Sequence, residues 1–164
     1  MRRLYLVRHA KSSWSDPELA DIDRPLNKRG KRDAPAAGER LKKRKVRPDL
    51  IVSSPAKRAR RTAGAIAEEI GFPGKNIATD DAVYHASSVE LLSVIRGFDD
   101  AHGEVMMFGH NPGFTDLASL LTGAHVDNLP TCAIFCVDFD IGSWQEVGEA
   151  KGTLVFLDYP KMHL

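Results

Sequence analysis

An arginine and a histidine stand side by side as Arg8-His9, directly after the short apolar run Leu4-Tyr5-Leu6-Val7. A histidine beside an always-charged cation suits a nucleophile or base working on an anion. The pattern recurs twice. Leu50-Ile51-Val52 runs into Ser53-Ser54-Pro55 and then Arg58, and Val105-Met106-Met107-Phe108 runs into Gly109-His110. Two arginines and two histidines brought together would suit phosphoryl transfer to a histidine. Neutral His9 offers a ring-nitrogen lone pair for in-line attack on phosphorus. Arg8 and Arg58 match phosphate oxygens bidentately, and a protonated His110 would add to them. Each such donor is worth on the order of 3 kcal/mol of barrier. The neighbouring cations also lower the pKa of His9 and keep it nucleophilic near neutral pH.

The elements that must position these residues follow from hydrophobic patterning. Leu4–Val7, Leu50–Val52 and Val105–Phe108 are too short for helices and rich in β-formers, so they read as buried strands. Ligands in open α/β sheets bind beyond the carboxyl ends of strands, where all three motifs fall. Residues 11–28 read as a polar loop. Helices are expected from Gly30 to about Lys45, from Ala56 to Glu69 after the Ser-Pro start signal, from Ser88 to about Phe98 and from Gly113 to Leu121. Ala34, Ala37 and Leu41 supply the stripe of the first, and Val89, Leu92 and Ile95 that of the third. Strand signals close the chain at Ala133–Val137, Trp144–Val147 and Thr153–Leu157. The expected fold is α/β: a single domain over 1–164, a three-layer α/β/α sandwich around a mixed, mostly parallel central sheet with an antiparallel edge.

Bulk properties narrow the class. The chain has 164 residues, 43% hydrophobic and 27% charged, ordinary for one globular domain. No stretch approaches the roughly 20 apolar residues of a membrane span, and no signal peptide precedes the first strand. A cytoplasmic protein with no membrane partner is expected. Cys132 and Cys136 share one face of a strand and read as buried reduced thiols. The net charge of +1 hides an asymmetry: residues 1–61 carry +12 and the remainder −11. Such a field attracts a phosphorylated substrate or an acidic surface, although Lys42-Lys43-Arg44-Lys45 also reads as the solvated end of a helix. Gly-rich phosphate loops and stacking motifs are absent, so no nucleic-acid partner is expected.

Arg8-His9-Ala10-Lys11-Ser12-Ser13-Trp14, Asp23-Arg24-Pro25-Leu26 with Gly30, Ser54-Pro55 with Arg58-Ala59 and Thr62, and Gly109-His110-Asn111-Pro112-Gly113 together resemble the histidine phosphatase superfamily. Within it the chain is similar to the small SixA-like phosphohistidine phosphatase branch. The resemblance spans nearly the whole chain and implies a phosphoglycerate mutase-like fold. It also implies a phosphohistidine intermediate on His9, phosphate contacts from Arg8, Arg58 and His110, and neither metal nor other cofactor. Arg24, Ser15 and His85 join the candidate substrate contacts. Ala10 replaces the glycine of the broader superfamily, as is frequent in the small branch. Many relatives carry a glutamate proton donor where this chain reads Asp80-Asp81-Ala82-Val83-Tyr84-His85-Ala86, leaving His85 or an aspartate as substitutes.

Asp138-Phe139-Asp140 mimics the opening of aspartyl-phosphate phosphatases, but Gly142 stands where that motif needs Thr or Val; a turn fits better. The expected activity is a phosphatase acting on phosphohistidine in a protein. Two other readings use the same residues: a small-molecule phosphomonoesterase, and a phospho-binding module without turnover.

Overall fold

The computed structural model describes residues 1–164. Six strands form one sheet in the order β3-β2-β4-β1-β5-β6. They are β1 (Arg2–Arg8), β2 (Leu50–Ser53), β3 (Ala78–Thr79), β4 (Glu104–Gly109), β5 (Ile134–Phe139) and β6 (Gly152–Asp158). The first four run parallel, and β5 and β6 add an antiparallel edge. Four helices cover the faces: α1 (Lys28–Lys43), α2 (Lys57–Ile70), α3 (Ser88–Arg96) and α4 (Gly113–Thr122).

Strand alternation sorts the core into two layers. Tyr5, Val7, Ile51, Met106 and Phe108 face α1 and α2, meeting Ala37, Leu41, Ala63 and Ile66. Leu4, Leu6, Val52, Val105 and Met107 face α3 and α4, meeting Ile95, Phe114 and Leu117. This is the three-layer α/β/α sandwich expected from the pattern. Small residues on α1 and α2 let those helices approach closely: Ala34, Ala37, Ala63 and Ala67 are fully buried.

Register places the chemistry. Arg8 pairs with Gly109, and Ser53 with Phe108, so the carboxyl ends of β1, β2 and β4 lie side by side. Asp138 instead pairs with Arg3 at the opposite end of the sheet, bonded to its guanidinium at 2.7 and 2.9 Å. Asp138 and Phe139 therefore end a strand and Asp140 follows it, remote from the other motifs.

Three further expectations need correction. Trp144–Glu146 is a 3-10 helix, not a strand. Ser143 and Glu146 close a capping box over it, which outweighs the β propensity of Trp144 and Val147. Cys132 precedes β5 and adopts a left-handed φ of 62°; both thiols are nevertheless buried and free. Val89 is 69% exposed, because the first turn of α3, capped by Ser87 and Glu90, lies in solvent. Leu91, Leu92 and Ile95 carry the buried stripe instead.

Candidate active site

His9 follows β1 and is locked between strands. Its N–H donates to Gly109 O (3.0 Å), and its carbonyl accepts from Cys132 N (3.1 Å). The ring is buried. Nδ1 lies 2.8 Å from Ala10 O, and since a carbonyl only accepts, Nδ1 carries the hydrogen and Nε2 keeps its lone pair. Burial pushes the His9 pKa down to about 4; the Ala10 hydrogen bond opposes it, and the Arg58, Arg8 and Arg24 charges add smaller downward effects. His9 is thus neutral near pH 7 and held in one orientation, with a ring nitrogen lone pair that could act as a nucleophile. Its ring should protonate only as pH falls through about 4, which NMR titration of its ring resonances checks; a midpoint near the ordinary imidazole value would contradict this.

His110 follows β4, its ring centroid 5.2 Å from that of His9. Its Nε2 is 2.7 Å from Ser54 Oγ. That hydroxyl accepts from Ala56 N at 3.1 Å, is fully buried and has Nε2 as the acceptor for its own hydrogen, which puts the ring proton on Nδ1. Burial, then the His9 ring and the Arg58 charge, push the His110 pKa down to about 3. In the free site His110 is therefore neutral and could meet a phosphate oxygen as a neutral N–H donor in place of an imidazolium: desolvation outweighs the attraction of Asp21, the one opposing charge.

Arg8 sends Nη1 to Leu129 O at 2.8 Å and has no carboxylate partner. Its Nε and Nδ1 of His110 are buried and make no hydrogen bond. Unpaired buried donors and an unpaired cation are costly unless an anion meets them. Asn111 braces this corner: its amide donates to Leu129 O (3.0 Å), and its Oδ1 accepts from Thr115 Oγ1 (2.9 Å).

Arg58 opens α2 and is buried. It donates to Asp21 O (2.7 Å) and Asp21 Oδ2 (3.0 Å). Lys57 turns away, into a larger groove of about 460 Å³ with Pro25, Ala34 and Arg61 between α1 and α2. That groove holds none of the histidines. We expect Arg58→Ala to lower kcat/KM at least about tenfold while Lys57→Ala changes little; equal losses would mean a diffuse field acts, not a placed guanidinium.

Arg24 reaches the same cleft but is already committed. It donates to Ser13 O (3.1 Å), Asp21 Oδ1 (3.0 Å) and Ser12 Oγ. Its guanidinium lies 3.3 Å from the Trp14 ring centroid. Arg24 therefore pins the 12–21 loop, and its charge reaches a ligand mainly through space. His85 lines the cleft at a left-handed φ of 55°, its ring centroid 3.9 Å from that of Tyr84 with the planes tilted by 40°. Ser15 does not join them: it is exposed, and its Oγ pairs with Ser13 Oγ at 2.8 Å. Asp80 is spent on the Ala82 N–H (2.9 Å), and Asp81 is exposed.

Two glycines let backbones touch around the site. A Cβ on Gly30 would fall 2.1 Å from Lys11 O, and one on Gly113 2.2 Å from Ala86 O. These contacts seat α1 against the loop after His9 and α4 against the turn carrying His85.

Asp21, which sequence reasoning left in an undifferentiated loop, is the hub. Besides Arg24 and Arg58, it accepts from Tyr84 OH at 2.5 Å and lies 3.6 Å from His85 Nε2. Burial alone would raise its pKa, but hydrogen bonds from Tyr84, Arg58 and Arg24 hold its carboxyl well below the usual carboxylate range. The available signal was its place two residues before Asp23-Arg24, within one 3-10 turn.

The result is a cleft of about 170 Å³ at the strand ends, walled by Arg8, His9, Arg24, Arg58, His85 and His110. It can present a neutral nitrogen nucleophile to a tetrahedral anion held by guanidiniums. The family model for the histidine phosphatase superfamily (branch 1) matches residues 4–83. An uncharacterised chloroplastic protein of Arabidopsis thaliana is 34% identical over 159 residues, 92% of this chain and 72% of that protein. A 2,3-bisphosphoglycerate-dependent phosphoglycerate mutase of Methylobacterium is 36% identical over 109 residues, 61% of this chain and 48% of the mutase; the match spans about half that enzyme's length. The crystal structure of a SixA from Agrobacterium tumefaciens, described as a putative phosphohistidine phosphatase, superposes with a TM-score of 0.82 at 31% identity. That superposition covers 97% of this chain and 98% of the other. With that superposition over nearly the whole of both chains and the family match over residues 4–83, the chain belongs to the histidine phosphatase superfamily, in its SixA-like branch.

Proposed function

We propose that the protein is a metal-independent phosphatase that removes the phosphoryl group from phosphohistidine in a protein, through a covalent phosphohistidine on His9. One observation carries this reading: a neutral His9 with its Nε2 lone pair free stands beside a cation and a buried donor, Arg8 and His110, that lack anionic partners. In the first step Nε2 of His9 attacks phosphorus in line, the bond from phosphorus to the leaving nitrogen breaks, and its electron pair returns to the leaving imidazole. That ring departs neutral when its other nitrogen carries a proton. Water then attacks phosphorus on His9, releasing inorganic phosphate and restoring the imidazole. Arg8, Arg58 and the N–H of His110 meet the equatorial oxygens, where charge is held through both steps.

Three guanidiniums and Lys11 line the cleft and, offset by Asp21, leave three net positive charges, enough to balance a phosphoryl dianion without a metal. The segments 72–102 and 114–131 are short, so the cleft mouth lacks an inserted cap. An open mouth suits a side chain offered by a folded partner.

The test is dephosphorylation of a phosphohistidine-bearing protein with and without saturating chelator. The expected rate is the same in both. A strong loss restored by Mg²⁺ would contradict the metal-free mechanism, and stable binding without turnover would make the protein a phospho-binding module.

A further inference from the structure

Trp14 is 74% exposed, an unusual state for the largest side-chain ring, in a chain with only two tryptophans. It is not stranded. One face of its indole rests on the Arg24 guanidinium, 3.3 Å from centroid to Cζ. Arg24 itself is buried and held by Ser12, Ser13 and Asp21. The ring is thus oriented by a rigid cation beneath it, while its remaining surface is open. It also lines the same cleft as His9 and His110.

A second aromatic ring, His85, lines that cleft as well; its side chain is 66% exposed and backed by Tyr84. Asp21 ties the two together, since its carboxylate bonds Arg24 beneath Trp14 and approaches His85 Nε2 at 3.6 Å. The same carboxylate bonds Arg58. One residue therefore couples the phosphoryl-binding arginine to both rings at the mouth. Tetrahedral phosphate needs no aromatic surface, whereas a flat ring attached to phosphorus does. An indole face polarised by a cation below stacks well on a planar heteroaromatic or phenyl ring.

We propose that Trp14 is the platform on which the ring of an aromatic phosphoryl donor stacks, so that the cleft recognises the leaving group's ring as well as the phosphoryl group. Among side chains that carry phosphorus, phosphohistidine and phosphotyrosine offer such a ring, and the phosphatase reading selects the imidazole. The inference deepens the phosphatase reading and rests on it for the identity of the donor. Stacking itself is tested without turnover.

Phenylphosphonate and methylphosphonate carry an unbreakable P–C bond and differ in the ring. Calorimetric titration, at a pH where both are dianions, should show phenylphosphonate binding about tenfold tighter, the scale of one stacked ring. Trp14→Ala should bring that ratio to about one, and Trp14→Phe should keep most of it. Trp144 is fully buried, so red-edge tryptophan emission reports Trp14; it should change with phenylphosphonate and not with methylphosphonate. Equal affinities in the unmodified protein, or a ratio that survives Trp14→Ala, would overturn the platform. A ring preference that behaves as expected in a protein that leaves phosphohistidine intact would overturn the substrate instead, which separates the two failures.

Discussion

His9→Ala should abolish turnover, by on the order of 10⁴-fold or more, the scale at which removal of other enzymes' nucleophiles acts. The expectation follows from the absence of a substitute. His110 is the other buried imidazole of the cleft, but its Nε2 is engaged with Ser54 Oγ, and the ring proton then lies on Nδ1. It has no free lone pair to aim at phosphorus. His85 is exposed and held near Asp21. The guanidiniums cannot act as nucleophiles, since they stay protonated. His9→Ala should still bind phosphonates, because Arg8 and Arg58 remain. Residual turnover above roughly a few per cent would remove His9 from the nucleophile's role.

The second large effect concerns the leaving group. Expulsion of an alkoxide needs a proton donor, and general acids contribute about 10²–10⁴-fold. The acidic group in contact with the cleft's arginines is Asp21, and its hydrogen bonds from Tyr84, Arg58 and Arg24 keep it ionised. It has no proton to give near neutral pH. An imidazole leaves readily, with a reference pKa of about 6.5. Turnover should therefore favour phosphohistidine over an alkyl phosphate such as a sugar phosphate by roughly 10²–10⁴-fold, with aryl phosphates between. His85→Ala should have a shallow effect on phosphohistidine. Efficient hydrolysis of a sugar phosphate would contradict this order and favour a metabolite phosphatase. Loss of that ester activity alone in His85→Ala would make His85 its acid.

What the sequence disclosed and what it withheld divide along the reach of the interactions. Arg8-His9, Ser53-Ser54 and Gly109-His110 each sit at the end of a short apolar run, so local patterning identified the strands, and the parallel-sheet rule brought their ends together. Arg58 followed from its place in the first turn of a helix. Asp21 was invisible because its bonds to Arg58 and Tyr84 cross 37 and 63 positions and no periodicity marks a loop. The neutral state of His110 was hidden for a related reason: it comes first from burial, a property of the packed sheet that the residues beside His110 in sequence do not disclose. The contest at Trp144 was local, and there the Ser143–Glu146 capping box was a readable signal that β propensity concealed.

The central claim is a phosphoryl group carried on the His9 ring. Rapid mixing with excess substrate, quenched in alkali within the first turnover, tests it most directly, since a phosphorus–nitrogen bond survives base and is lost in acid. The account predicts an acid-labile, base-stable phosphoenzyme in the unmodified protein, mapped to the peptide containing His9 and absent from His9→Ala. A phosphoenzyme stable in acid, one on another residue, or steady turnover with no trapped intermediate would contradict it.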